Sequence, residues 1–488
     1  MSPPPAPPDD EIVLSLISHT NVGKTALART LLRRDVGEVA DSAHVTLVPE
    51  SHLLVESEGR RALLWDTPGF GANLAKLAKR LRSSRNPVGW ILHQAWDRVA
   101  DRSLWCSQEA IANVQSQADL VVYLVDASQP PEATAYIDLE LEVVEWVGKP
   151  VLVLLNQTGA PGGPGQAALE DEWRERLARH PAVQKVSSLD AFTRCWLHEH
   201  RLFEDAAAIL GGAKADTARH LGRVWLERQF GILDESVAAM ARLVHASLLD
   251  TEALASHGLV DKLRLLVVKG GRDPEFEAIQ RALYQRLAER TRAAMNRIID
   301  LHGLAGESAA ELAARKREAF EVRRNIDESI AAALGGVGTG LFSGLAADLL
   351  AGGLTFGGGA LLGMLAGGAT TYALARGYNL VQAGGDRVRW SAPHFREQVK
   401  AVLVLYLAVA HFGRGRGNWQ DPAGNPAAWE EVATALVDES EKVWDGLWKR
   451  GGSAKTDPAL DRDVAAALGR SVRELLARLY PESSDLLK

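Results

Sequence analysis

The first two hundred residues alternate between short apolar runs and amphipathic stretches. Ile12–Ser18 (IVLSLIS), Arg61–Asp66 (RALLWD), Asp119–Ala127 (DLVVYLVDA) and Pro150–Asn156 (PVLVLLN) are nearly continuous apolar segments. Runs of this length predict strands buried on both faces of a parallel sheet. Between them, Ala26–Arg34 (ALARTLLRR) and Glu132–Gly148 (EATAYIDLELEVVEWVG) place apolar residues at helical spacing. The pattern therefore predicts βαβ units over residues 11–210, with a mostly parallel sheet flanked by helices. Ligands of such sheets bind beyond the carboxyl ends of the strands.

From Gly211 the strand signal fades. Arg219–Leu249 and Glu275–Leu304 carry apolar residues at helical intervals with charges between them, which predicts a mainly α-helical domain over residues 211–488. One block breaks the pattern. Residues 330–376 are apolar and glycine-rich. Gly336, Gly340 and Gly344 are spaced by four, as are Gly359, Gly363 and Gly367. Residues four apart share a helix face, so each set predicts a groove of small residues. The block reads as a helical hairpin, Ile330–Leu350 and Gly359–Ala375, whose first arm is about 30 Å long at 1.5 Å per residue. Basic residues flank it: Lys316, Arg317, Arg323 and Arg324 before, Arg376, Arg387 and Arg389 after. Two readings stand side by side, a hairpin that enters a membrane with both ends cytoplasmic and a hairpin buried in the helical domain. Asp348 opposes the first. Ala401–Ala410 (AVLVLYLAVA) is too short to span and reads as a core helix.

Composition narrows the classes. A chain of 488 residues with 47% hydrophobic residues is long enough for more than one core. A net charge of −7 and a pI near 6.0 argue against nucleic acid as the main partner. Cys106 and Cys195 stand far apart without metal-ligand spacing, which predicts reduced thiols in a cytoplasmic protein. Residues 1–10 (MSPPPAPPDD) lack a basic and an apolar region, so they read as a disordered tail rather than a secretory signal.

The candidate chemistry begins where the first apolar run ends. Ser18-His-Thr-Asn-Val-Gly23-Lys24-Thr25 follows the pattern G-x-x-x-x-G-K-[ST], with Ser in place of the first glycine. The backbone from Ser18 through Asn21, Val22 and Ala26 is the predicted phosphate cradle. Gly23 permits close approach, Lys24 supplies a charge for the β- and γ-phosphates, and the Thr25 hydroxyl suits Mg²⁺. Asp66-Thr-Pro-Gly69 closes a later strand, where the carboxylate can hold Mg²⁺ and the Gly69 N–H can sense a γ-phosphate. Thr46 is the predicted switch threonine that reaches the metal when its loop closes. The segment 71–116 is longer than a switch loop and helix need. It carries Trp90, Trp96 and Trp105 and a basic cluster at Lys76, Lys79, Arg80, Arg82 and Arg85. Two readings stand: an effector- or membrane-facing lobe that moves with the switch, and two helices with the tryptophans in the core and the charges solvated, the second being favoured for the tryptophans.

In order, TNVGKT, a switch Thr, WDTPGF and LLNQ resemble the translation-factor-related GTPases of the Era and MnmE type. The whole chain resembles a bacterial family of such GTPases with a C-terminal domain of unassigned role. The resemblance implies an α/β P-loop GTPase domain, GTP and GDP as ligands, Mg²⁺ as cofactor and slow hydrolysis of GTP to GDP, with Lys24 and Gly69 in the catalytic site. It implies a K⁺ ion at Asn21, for which the alternative is a turn-former satisfied by local backbone. It implies a homodimer through the switch loops. Phe70 stands where other GTPases have a water-orienting Gln. The base-recognition pattern N-K-x-D reads Asn156-Gln157-Thr158-Gly159. Losing its charge-assisted pair to guanine costs roughly 1.5–3 kcal/mol, ten- to a hundredfold in selectivity. Lys185–Phe192 is the candidate last base loop, in which Ser187, Ser188 and Leu189 offer backbone N–H groups. The expected function is a GTP switch that relays its state to the helical domain and thence to a protein effector, or to the inner membrane through 330–376. An Era-like ribosome-assembly factor and a non-hydrolysing nucleotide-binding scaffold are the alternatives.

Overall fold

The structure is a computed structural model that describes residues 8–34, 36, 48–70, 74, 78, 82, 102–158, 166–191, 194–253, 274–304, 378–381, 387–412, 427–453 and 457–488. Thr46, residues 159–165, most of 71–101 and the glycine-rich block 330–376 lie outside the described residues. The chain forms two compact units, Met1–Gly231 with Ala410–Gln420, and Ile232–Val409 with Asp421–Lys488.

The first unit is built on a six-stranded sheet. Its strands are β1 (Glu11–Ile17), β2 (Glu50–Ser57), β3 (Arg60–Asp66), β4 (Leu120–Asp126), β5 (Val151–Asn156) and β6 (Val183–Ser188), in the order β2-β3-β1-β4-β5-β6. All pairs are parallel except β2 with β3. Helices α1 (Lys24–Leu32), α2 (Arg102–Gln117), α3 (Tyr136–Val147), α4 (Gln166–Leu177) and α5 (Trp196–Leu210) accompany it. Alternation within the buried strands divides two cores. Leu120, Val122 and Leu124 of β4 pack with Leu27, Leu31 and Leu202 on one side. Val121, Tyr123 and Val125 pack with Ile111, Leu141 and Trp173 on the other. The mostly parallel sheet flanked by helices is as expected.

The apolar pattern does not announce two of these strands. β2 joins β3 through Glu58 and Gly59, both at positive φ (52° and 77°), the geometry of a tight two-residue hairpin. Its pairing shifts register between Leu53 and Val55, so the strand loses the strict alternation by which strands are recognised. β6 is a polar edge strand. Ser187 and Ser188 therefore lie in the sheet opposite Leu154 and Leu155, rather than in a loop.

Helix α6 (Gly212–Leu248) spans 37 residues, the later ones in the second unit. That unit also holds α7 (Pro274–Leu301), α8 (Ala392–Ala410), α9 (Ala427–Glu439), α10 (Glu441–Gly451) and α11 (Leu460–Leu479). A small antiparallel sheet joins β7 (Thr251–Ala253), β9 (Arg387–Trp390) and β8 (Tyr378–Val381), in that order. These strands are three or four residues long, too short for a period-2 signal. Trp390 stacks on His394 with ring centroids 4.6 Å apart, and Tyr284 meets Trp390 edge-on at 5.0 Å. Burial in this packing lowers the His394 pKa to about 4. Residues 401–410 form the buried half of α8, with Leu403, Tyr406, Leu407 and Val409 fully enclosed. Among the described residues no helix is long and apolar enough to cross a membrane. Cys106 and Cys195 are buried and not joined in a disulfide.

Candidate functional site

The chain turns as soon as β1 ends. Ser18 is fully buried, and its hydroxyl donates to the His19 carbonyl at 2.7 Å. Asn21 and Gly23 take positive φ (67° and 101°), and Gly23 caps α1. No side-chain hydrogen bond caps this helix, and its first turn presents the positive end of the helix dipole, the end that favours an anion. Val22 and Ala26 turn their side chains into the core; what they can offer a ligand is backbone.

Lys24 folds back into the turn. Its ammonium donates to Ser18 Oγ at 3.0 Å and to the His19 carbonyl at 3.1 Å. Burial lowers its pKa to about 8, against the opposing pull of Asp66 and Glu140. One residue on, the Thr25 hydroxyl donates to Asp66 Oδ2 at 2.6 Å. The strand that carries Asp66 continues along the loop beyond the end of β3. The Thr67 hydroxyl donates to the Leu16 carbonyl at 2.5 Å, the Phe70 amide to the Ser18 carbonyl at 2.9 Å, and the Thr20 amide to the Phe70 carbonyl at 3.2 Å. A β-carbon on Gly69 would lie 2.8 Å from Thr20 Cα and 3.0 Å from Lys24 Nζ. Only glycine fits there. Phe70 is completely buried, so its ring lies in the core rather than at the site.

Asn156 clamps the turn from the other side. Its Nδ2 donates to the Val22 carbonyl at 2.7 Å, and its Oδ1 accepts from the Ala191 amide at 2.8 Å. Both ends of the carboxamide are engaged with backbone. Gln157 follows at φ 60°. The Ser187 hydroxyl donates to Asp205 at 2.6 Å, and the Leu189 amide donates to the Leu155 carbonyl at 3.1 Å.

The structure thus brings Ser18, Asn21, Val22, Gly23, Lys24, Thr25, Asp66, Gly69 and Asn156 together from three separate stretches. It also adds residues that sequence reasoning missed. Glu140 of α3 is 1% exposed, with Oε1 2.6 Å from His19 Nδ1 and Oε2 accepting from the Tyr123 hydroxyl at 2.6 Å. Burial raises the Glu140 pKa, and its bond to His19 opposes that shift. The signal was present. Ile137, Leu141 and Val144 mark the inward face of α3, and Glu140 falls on the same face.

A hydroxyl and a carboxylate side by side, both hard oxygen donors, suit Mg²⁺, which takes few protein ligands and completes its shell with water and phosphate oxygens. Thr25 and Asp66 fit that ion. When bound it would supply positive charge to the phosphate oxygens.

A glycine-capped helix start behind a parallel strand, with a buried lysine and a Thr–Asp oxygen pair at the neighbouring strand's end, gives the first unit the fold of a P-loop nucleotide-binding domain of the GTPase type. Residues 13–157 match the family model described as 50S ribosome-binding GTPase. No curated protein matches the chain. Among solved structures, Era from Aquifex aeolicus bound to GDP and aluminium fluoride is 19% identical, with 41% of this chain and 57% of that chain covered and a TM-score of 0.29. The chain thus spans little more than half of that Era structure. The GMPPNP-bound NFeoB of S. thermophilus is 15% identical, with 59% and 94% covered and a TM-score of 0.23. An oligomerised bacterial dynamin pair is 9% identical, with 98% and 76% covered and a TM-score of 0.24. Likenesses this faint carry no functional weight.

Proposed function

We propose that the chain is a Mg²⁺-dependent GTP-binding switch that hydrolyses GTP to GDP and relays its nucleotide state to the C-terminal region. One observation carries the reading: the Thr25 hydroxyl, the Asp66 carboxylate, the Lys24 ammonium and Gly69, drawn from two distant motifs, converge on the amino end of α1. The amides of the first turn of α1 bind phosphate oxygens, Lys24 neutralises the β- and γ-phosphates, and the Gly69 amide reads the γ-phosphate. Thr46 is the proposed third contributor to the Mg²⁺ shell, and Asn21 the residue for K⁺. The glycine-rich block 330–376 is the proposed membrane contact, and a switch-loop homodimer the proposed assembly. The net charge of −7 disfavours the ribosome-assembly alternative.

The burial of Phe70 supports a second reading, a nucleotide-binding scaffold without turnover, because the water-orienting position faces the core. A fluorescent GTP analogue titrated with Mg²⁺, together with phosphate release, tests both. Saturable binding and turnover that disappear in Lys24→Ala support the switch. Binding without turnover leaves the scaffold, and no binding refutes both.

A further inference from the structure

Glu140 is a carboxylate in a place where the fold asks for a hydrocarbon. Its neighbours on the inward face of α3, Ile137, Leu141 and Val144, are apolar and buried. A buried carboxylate is costly unless its oxygens are fully hydrogen-bonded. Here both are engaged, one by the His19 ring and one by the hydroxyl of Tyr123, itself buried on β4. The His19 ring is held a second way, tilted against Tyr136 with centroids 4.5 Å apart. Residue 19 is also the one whose carbonyl accepts from Lys24 Nζ, at 3.1 Å. The imidazole and the carbonyl belong to one residue of the turn, so the anchored ring restrains that carbonyl together with the Thr20 amide of the same peptide, which donates to the Phe70 carbonyl at 3.2 Å.

We propose that Glu140 is a positioning residue of the triphosphate site, acting through His19: the carboxylate anchors the imidazole, and the anchored residue presents its carbonyl to the Lys24 ammonium. The inference rests on the nucleotide-switch reading above and names the residues that aim its lysine. Lys24 reaches toward the β- and γ-phosphates, so a misaimed ammonium costs more with a triphosphate than with a diphosphate. A role in folding alone would weaken both nucleotides equally.

The test uses the full chain and four variants: Glu140→Gln, which keeps size and removes charge; His19→Ala; His19→Asn, which keeps an N–H donor near the Nδ1 position; and the double Glu140→Gln/His19→Ala. Affinities for a non-hydrolysable GTP analogue and for GDP are measured side by side. Glu140→Gln and His19→Ala are expected to lose about tenfold in the ratio of triphosphate to diphosphate affinity, the scale of one hydrogen bond to a charged group. His19→Asn recovers most of that ratio, and the double variant is no worse than the worse single. A wild-type ratio in Glu140→Gln, or equal losses for both nucleotides that add in the double variant, overturns the inference and leaves the switch reading intact. If Glu140→Gln does not fold, the comparison of His19→Ala with His19→Asn, made at a partly exposed side chain, decides the same question. A wild-type chain that binds neither nucleotide overturns the switch reading and this inference with it.

Discussion

Gly69→Ala places a methyl group between two backbones. The new carbon would lie 2.8 Å from Thr20 Cα and 2.9 Å from Thr20 Cγ2, whereas carbon atoms settle at about 3.5–4.0 Å. The Thr20 methyl can rotate away; the Thr20 backbone cannot. The chain after Asp66 must therefore retreat from the phosphate loop by roughly 0.7–1 Å if normal separations are to return. Two hydrogen bonds zip these segments together, Phe70 amide to Ser18 carbonyl at 2.9 Å and Thr20 amide to Phe70 carbonyl at 3.2 Å. Both lengthen in that movement. Overpacking of this kind costs about 1–3 kcal/mol, which should speed exchange of the Thr20 and Phe70 amides by about 5- to 150-fold where local opening governs it. The same carbon lies 3.0 Å from Lys24 Nζ, so affinity for a GTP analogue should fall more than affinity for GDP. Gly59→Ala is the comparator. It sits at φ 77° with nothing within 4 Å of the added carbon. Its cost is backbone strain of about 1–2 kcal/mol in the β2–β3 turn, with no effect on the phosphate loop. Hydrogen exchange read by mass spectrometry, with nucleotide titrations, separates the two variants. Wild-type protection at Thr20 and Phe70 in Gly69→Ala, with an unchanged ratio of nucleotide affinities, would refute the packing argument.

Three further outcomes follow from the same geometry. Asn156→Ala strands the Val22 carbonyl and the Ala191 amide, at about 1–3 kcal/mol for each buried group, and should weaken GTP, GDP and ATP alike in calorimetric titrations; a loss confined to guanine nucleotides would show that Asn156 reads the base instead. With burial holding the Lys24 pKa at about 8, the cation that meets the phosphates is present below that pH and must take up a proton above it. Triphosphate affinity should therefore be flat up to about pH 7 and fall by up to about tenfold per unit above pH 8, and a flat profile to about pH 9.5 would contradict that. In the second unit His394 is held neutral, its pKa lowered to about 4 by burial. Its contribution to stability is complete above its unfolded value of about 6.5 and is lost as pH falls from there toward 4, by up to about 1.4 kcal/mol per unit. Urea midpoints measured between about pH 7.5 and 4.5 should show that slope in the wild type and a shallower one in His394→Phe.

What was legible in the sequence was whatever geometry ties to a residue type. Lys24, Thr25, Asp66 and Gly69 could be picked out because a phosphate loop needs a cation, a hydroxyl, a carboxylate and a bare backbone at fixed offsets, and Gly69 shows why: no side chain fits between Thr20 and Lys24. The central strands were legible because burial on both faces leaves only apolar residues. What escaped was set by neighbours in space. The Leu53–Val55 irregularity hides β2, β6 tolerates polar residues at an edge, and β7, β8 and β9 are too short to carry a period. Asn156 shows how a motif can mislead about its own purpose. Read as one letter of a base-recognition pattern whose other letters have become Gln157 and Gly159, it looks like the remnant of a guanine site. In the fold its carboxamide joins Val22 to Ala191. That task belongs to the phosphate loop and is independent of which base is bound. Retention of the asparagine is therefore no sign that guanine is read, and replacement of its neighbours is no sign that the phosphate site has decayed. In the proposed switch the two halves of the nucleotide fall to separate parts of the chain, the phosphates to the turn around Lys24, Thr25, Asp66 and Gly69, whose Thr25–Asp66 and Lys24–Ser18 bonds the structure shows, and the base to the residues that follow Asn156.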